Sequence, residues 1–410
     1  MQQEMLAKYA RLVVRSGLNL QAGQVLVIGA PIECAPFARL VARTAYDEGA
    51  RDVVINWRDE LFTHLRFCHA PEEVFGEFPE WQKQMYLQYM RQGAAFLQIS
   101  ADDPELLKDV DPGRVMTSRK AANVALQEYR ESLMSNKNVW TVVSVPTEAW
   151  ARKVFPAVST DAAMEGLWKA IFAAVRADTD NPVAAWAEHS AVLKRRLAWL
   201  NAQRFCRLEY RSSLGTELTV ELPEGHIWLG GGEVSASGVE FIANMPTEEV
   251  FTLPKKHGVN GRVVSSKPLQ YNGGLIEDFS LVFVDGKVTQ WQARKGAGLL
   301  EKLLTADEGA SYLGEVALVP YSSPISQSGI LFYNTLFDEN AACHLAFGKA
   351  YPVCLSGSDS MSKEELERCG VNDSLVHEDF MIGTEDLSIV GITASGERVE
   401  VFACGNFVIG

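Results

Sequence analysis

Two stretches of this 410-residue chain carry side chains whose types and spacing suit metal-ion chemistry. His377-Glu378-Asp379 sets an imidazole and a carboxylate two residues apart. On an extended segment, residues i and i+2 point to the same face, so His377 and Asp379 can reach one ion, or one ion each of a pair. Imidazole and carboxylate are donors that zinc, cobalt and manganese take. Taken alone, the pair reads first as a solvated surface contact, because His-x-Asp is a common pattern. His344 lies in the small-residue stretch Asn340-Ala341-Ala342-Cys343-His344-Leu345-Ala346-Phe347-Gly348, whose apolar neighbours point to burial. Taken alone, a satisfied core histidine fits that stretch better than a ligand does. Tyr351 follows seven residues on, two turns along the same face if the segment is helical.

Carboxylates complete the donor set. Glu315 opens an apolar run, Val316-Ala317-Leu318-Val319. A buried carboxylate is costly unless a cation or a hydrogen-bond donor meets it. Glu248 and Glu249 stand side by side before Val250-Phe251 and need a counter-charge for the same reason. The other histidines, His64, His69, His189, His226 and His257, have no ligand spacing. His189, in a helix with Glu188 and Lys194, reads as a surface residue, and His226, in Pro223-Glu224-Gly225-His226, as part of a turn.

The elements that must position these groups fall into two halves. In the first, apolar positions Met5, Tyr9, Leu12 and Val13 predict a helix over 3–16, and Val25-Leu26-Val27-Ile28 a buried strand. Helices over 36–48, about 78–91 and about 117–134 alternate with strands at Val53–Ile55, Ala94–Ile99 and Val139–Val143. Strands alternating with helices predict a parallel α/β sheet. The turn after the first strand, Gly29-Ala30-Pro31-Ile32-Glu33-Cys34, lacks the glycine pattern of a dinucleotide site and sets a glutamate where a pyrophosphate would lie, so no nucleotide is expected. Helices over 159–176 and 182–203 follow. Beyond about residue 204, Arg207–Tyr210 and Glu217–Leu222 alternate as strands do, and glycine becomes frequent. The expected fold class is therefore α/β. An N-terminal parallel α/β domain (1–200) precedes a strand-rich α+β domain (201–410) that holds the metal donors.

Bulk properties narrow the function. A net charge of −14 opposes phosphate backbones, so nucleic acid is not expected as a partner. The longest basic run, Lys194-Arg195-Arg196, reads as a solvated helix face. Seven cysteines without a Cys-x-x-Cys read as reduced thiols. The first residues form an amphipathic pattern with Glu4, Lys8 and Arg11, and no apolar run approaches the ~20 residues of a membrane span. A cytoplasmic protein without membrane contact is expected.

Four motifs in order resemble the aminopeptidase T (aminopeptidase S) family of metallo-aminopeptidases, the thermophilic-type leucyl aminopeptidases. They are Asn244-Met245-Pro246-Thr247-Glu248-Glu249-Val250-Phe251-Thr252, Leu313-Gly314-Glu315-Val316-Ala317-Leu318, Asn334 to Asn340 with His344 and Tyr351, and His377-x-Asp379-Phe380-Met381-Ile382-Gly383. The resemblance implies two divalent metal ions (zinc, cobalt, manganese or magnesium) held by Glu249, Glu315, His344, Tyr351, His377 and Asp379. It favours Glu249 over Glu248 as ligand, leaving Glu248 for proton transfer or substrate contacts. Tyr351 can ligate or donate to an oxyanion. It further implies a homodimer, and a broad-specificity aminopeptidase that hydrolyses the N-terminal residue from peptides through water activated by the two ions. Another dinuclear hydrolase, a phosphoesterase, would need a phosphate clamp, and no arginine cluster or glycine-rich loop stands near the motifs. A non-catalytic interaction protein with a degenerate site would not need a donor residue at every motif position.

Overall fold

Apolar runs separated by amphipathic stretches build a parallel sheet in the first half of the chain. The computed structural model describes residues 2–271 and 274–409. It contains two compact units. The first takes the chain up to Glu188 together with 232–246 and 331–336, and the second takes 189–231, 247–330 and 337 onward. The main change of unit falls at Glu188/His189, inside the helix Pro182–Gln203.

In the first unit, α1 (Gln2–Leu12) ends in a π turn over Val13–Gly17. There follow β1 (Val25–Pro31), α2 (Ala35–Asp47), β2 (Asp52–Arg58), α3 (Glu60–His69), α4 (Glu80–Arg91) and β3 (Ala95–Ile99). Then come α5 (Pro112–Ala125), α6 (Gln127–Met134), β4 (Trp140–Val143), α7 (Glu148–Val154) and α8 (Thr160–Ala174). The four strands are parallel in the order β2-β1-β3-β4. One expected helix, 117–134, is two. It begins earlier because Asp111 caps it, its side chain accepting from the Gly113 N–H with Pro112 in the first turn. It breaks at Leu126, which is buried.

The second unit begins within α9 (Pro182–Gln203) and is antiparallel. β5 (Phe205–Arg211), β6 (Glu217–Glu221) and the short β7 (Leu229–Gly230) come first; the small hairpin β8 (Glu233–Val234) and β9 (Glu240–Phe241) belongs to the first unit. After β10 (Val250–Thr252) come β11 (Val259–Val264), β12 (Leu269–Tyr271), β13 (Gly274–Val284) and β14 (Lys287–Lys295). The last strands are β15 (Leu313–Leu318), β16 (His344–Gly348), β17 (His377–Met381), β18 (Ser388–Thr393), β19 (Arg398–Ala403) and β20 (Asn406–Phe407). They form a nine-stranded sheet, β12-β13-β11-β6-β5-β18-β19-β20 with β14 beside β13, and a five-stranded sheet, β17-β16-β15-β10-β7. The fold class is that expected, mixed α/β with a parallel sheet followed by a strand-rich unit. One apolar core joins side chains of both sheets, among them Leu208, Phe279, Leu281, Val316, Leu345, Phe347 and Phe380. The Phe347 and Phe380 rings stack at 4.4 Å. The opposite face of the five-stranded sheet is where the polar residues of the motifs lie.

Candidate metal centre

Strand register brings the donors together. In β15, β16 and β17, Glu315 lies opposite Ala346, and Ala346 opposite Asp379. His344 lies opposite Ala317, and His377 opposite Gly348. Directly opposed residues share a face, so Glu315, His344, His377 and Asp379 project together, each beside a small residue that leaves room. Gly348 suits its place: φ is +89°, and a Cβ there would lie 2.2 Å from the Val376 carbonyl oxygen. Their strand neighbours Val316, Leu345 and Phe380 point the other way into the core, as period-two alternation requires. Val250 of β10 is in that core, so Glu249, just before it, faces the donors.

The two imidazoles are presented alike. His344 Nδ1 bonds the Ala342 carbonyl at 3.2 Å, and His377 Nδ1 bonds the Lys349 carbonyl at 2.7 Å. A carbonyl only accepts, so both rings carry the proton on Nδ1 and aim Nε2 at the carboxylates. His344 Nε2 is 3.3 Å from Glu249 Oε2 and 3.6 Å from Glu315 Oε1. His377 Nε2 is 3.4 Å from Glu315 Oε2 and 3.5 Å from Asp379 Oδ1. These spacings are longer than good hydrogen bonds, and the buried oxygens Glu249 Oε2 and Asp379 Oδ1 have no hydrogen-bond partner. Two donor groups result, Glu249–Glu315–His344 and Glu315–His377–Asp379, with the ligand atoms of each within 4.8 Å of one another. Glu315, 5% exposed, belongs to both through its two oxygens. Converging lone pairs without chain donors between them fit divalent cations.

Electrostatics follow from the crowding. Burial works against both imidazolium forms, yet hydrogen bonding and charge from Glu315, Asp379 and Glu249 push His344 up to about 10, and Asp379 and Glu315 push His377 up to about 11. Burial would raise Glu315, but the two imidazoles hold it down to about 2. Burial pushes Glu249 up to about 7, opposed by His344. The site draws positive charge from whatever can supply it.

Tyr351 is at this site by another route than helical spacing. Residues 344–348 are a strand, and Tyr351 precedes a 3-10 turn at Pro352–Cys354. β16 places His344 in the ladder, and Lys349 and Ala350, whose N–H groups donate to the Val376 and Asn372 carbonyls, carry the chain on to Tyr351 beside the donors. Its ring lies 4.7 Å from the His377 ring and 6.2 Å from that of Phe251. Burial, with the charges of Glu315, Asp379, Glu339 and Glu249, holds its hydroxyl well above the usual phenol range. Glu248 is not in either donor group. It is 2% exposed, with Oε2 3.7 Å from His189 Nε2.

Three residues depart from the sequence reading. His189 is not on the surface: it is 9% exposed and bonds the Thr247 carbonyl at 2.8 Å. Arg196 does not belong to a solvated face, since its guanidinium lies 4.4 Å over the Phe407 ring. Glu339 is a further carboxylate at the site. Burial pushes it well above its ordinary range, with Glu249, Asp379, His344 and Glu315 close enough for their charges to act on it. Its only signal in the sequence was its place within the motif Asn334 to Asn340.

A mixed α/β fold with paired His/carboxylate groups on an antiparallel sheet marks the chain as a candidate metalloprotein. The sequence pattern of the family described as Thermophilic metalloprotease (M29) matches residues 2–407, and the chain belongs to that family. It is 52% identical to Aminopeptidase 2 of Geobacillus stearothermophilus, over 98% of this chain and 97% of that one. It is 48% identical to Aminopeptidase AmpS of Bacillus subtilis, over 97% of each. Among solved structures, wild-type AmpT from Thermus thermophilus matches with a TM-score of 0.94 at 40% identity, covering both chains fully. The family expected from the four motifs is the family found. Among the described residues no helix is long and apolar enough to cross a membrane.

Proposed function

We propose that this protein is a metal-dependent aminopeptidase that removes the N-terminal residue from peptides, with broad tolerance for that residue. Membership of a metalloprotease family and the aminopeptidase names of its relatives support the activity. The observation that carries the site is the pair of donor groups sharing Glu315. In this reading Glu249, Glu315 and His344 hold one divalent ion, and Glu315, His377 and Asp379 hold another, with Tyr351 beside the second. Mixed nitrogen and oxygen donors suit zinc, cobalt or manganese, and the carboxylates alone suit magnesium. Such ions, when bound, lower the pKa of water and polarise a scissile carbonyl.

The chain's own residues supply the rest. His344 and His377 are held to one tautomer by backbone carbonyls. The Tyr351 hydroxyl, kept protonated by burial, is placed to ligate or to donate to a substrate oxygen as charge develops on it. The excess of carboxylates over imidazoles favours the cationic α-amine of a free N-terminus. We also read the protein as a cytoplasmic homodimer, which sedimentation at twice the chain mass checks.

The deciding assay sets an amino-acyl p-nitroanilide against p-nitrophenyl phosphate, with and without chelator. We expect anilide cleavage that chelator abolishes, and no cleavage of the ester. Ester cleavage alone would move the protein to the phosphoesterases, and no cleavage of either by the metal-loaded protein would end the reading.

A further inference from the structure

The segment that brings Glu249 to the donors is fixed at a single peptide plane. The Thr247 carbonyl accepts from His189 Nε2 at 2.8 Å, and the N–H of the same peptide, on Glu248, donates to Asn340 Oδ1 at 2.7 Å. All four residues are buried. The bond to a carbonyl puts the His189 proton on Nε2, and the Glu248 carboxylate lies against the same ring at 3.7 Å. Neighbours in an extended stretch point to opposite sides. Glu248 turned toward α9 therefore leaves Glu249 turned toward His344.

Both ends of the clamp are built in. His189, Leu193 and Arg196 occupy one face of α9 at i, i+4 and i+7. The helix comes close because of Gly231: φ is +70°, and a Cβ there would lie 2.7 Å from Leu193 Cβ. Gly230, next to it, pairs with Val250, which follows Glu249. Burial lowers the Arg196 pKa, opposed by the charge of Glu248, which stands within its reach. On the other side, Asn340 sits in the 3-10 turn Glu339–Ala341 that leads into His344. The same short turn thus touches the Glu249 segment and starts the His344 strand.

We infer that His189 and Asn340 are positioning residues for the carboxylate of Glu249, and that Glu248 belongs to this clamp rather than to proton transfer. The inference rests on the reading of Glu249 as a metal ligand. Groups that orient a ligand from behind commonly contribute 10–100-fold to metal affinity, and hydrogen bonds converging on the peptide beside a ligand do that work here.

The experiment is cobalt(II) titration of the full chain against a competing chelator, following the visible absorption of bound cobalt, with kcat and KM at saturating cobalt. His189→Leu and Asn340→Leu are each expected to weaken cobalt binding about 10–100-fold and to shift the cobalt spectrum. KM for the anilide changes less than the affinity for cobalt. His189→Gln, whose amide N–H can reach the same carbonyl, recovers most of the lost affinity. Glu248→Gln lowers cobalt affinity but holds kcat at saturating cobalt within about 10-fold, short of the ~10²–10⁴ lost with a general base, and keeps the pH profile of kcat.

Wild-type cobalt affinity and spectrum in both leucine variants would overturn the clamp. A fall in kcat of about 100-fold or more in Glu248→Gln, with bound cobalt unchanged, would make Glu248 the proton acceptor and overturn its assignment here. Should His189→Leu not fold, Asn340→Leu and Glu248→Gln decide alone. Glu249→Gln separates the two levels. If it binds cobalt as the wild type does, the ligand reading fails; if it loses cobalt while the clamp variants do not, only the clamp fails.

Discussion

Two clusters of carboxylates, one in each unit, differ in how their charges are answered. In the first unit, Glu33, Glu60 and Asp102 follow the C-terminal ends of β1, β2 and β3, the edge where open α/β sheets often take ligands. There the chain answers its own charges. Glu60 accepts from the Asp103 N–H at 3.0 Å, and Arg58 reaches Asp102 at 3.1 Å. In the second unit, Glu249, Glu315 and Asp379 are met by two imidazoles, and among the described residues no lysine or arginine forms an ion pair with them. Acidic density is common to both. Converging oxygens answered only by imidazoles distinguish the second.

The comparison breaks most sharply at Glu315. Glu315→Gln is expected to lower kcat/KM on the order of 10³-fold or more, because it weakens both donor groups at once. Glu60→Gln leaves anilide hydrolysis intact. A Glu315→Gln variant at full rate in chelator would dissolve the distinction. Chelation is the next test. It should abolish activity and lower the melting temperature of the wild type, since a ligand at 100–1,000 times its Kd stabilises by about 3–4 kcal/mol. Calorimetry should find no such drop in Glu315→Gln.

The first cluster sharpens the contrast through pH. Burial, helped by Asp102 and Glu33 and opposed by the Asp103 N–H, pushes Glu60 up to about 7. A carboxyl whose folded pKa is raised holds its proton better folded than unfolded. Its stabilisation is full below the unfolded value of ~4.3 and is lost as pH rises through about 7. Urea unfolding should show the wild type losing about 1–3 kcal/mol across that window relative to Glu60→Gln; parallel curves would refute it. The smallest effect is expected at Tyr351. Tyr351→Phe should lower kcat about 10-fold, or ~1.4 kcal/mol, with KM nearly unchanged. A rise in KM alone would make the hydroxyl a binding group only.

What the sequence disclosed was set by whether a signal is local. His377 and Asp379 were legible because period two is a property of three residues. Glu315 was legible because a charge beginning an apolar run stands out. The parallel sheet was legible from alternating runs, each complete within a dozen residues. His189 was misread because its partner, Thr247, lies 58 residues away, and an amphipathic helix does not announce which partner its polar residue meets. Arg196 was misread for a similar reason, as its aromatic partner is at the far end of the chain. Tyr351 was grouped with His344 on the resemblance, but helical spacing was the wrong geometry, since residues 344–348 are a strand. A strand with a short extension beyond it sets the Tyr351 ring against His377. Glu339 had no periodicity to mark it, because a 3-10 turn of three residues has none.

The sheet order β17-β16-β15-β10 also makes one strand the common ruler for both donor groups. β16 carries His344, and through its pairing with β15 and β17 it sets Glu315 on one side and His377 and Asp379 on the other. Because side chains alternate along a strand, a one-residue slip of β17 against β16 turns His377 and Asp379 to the opposite face together. The alignment of two backbones therefore decides whether Glu315 has one set of companions or two.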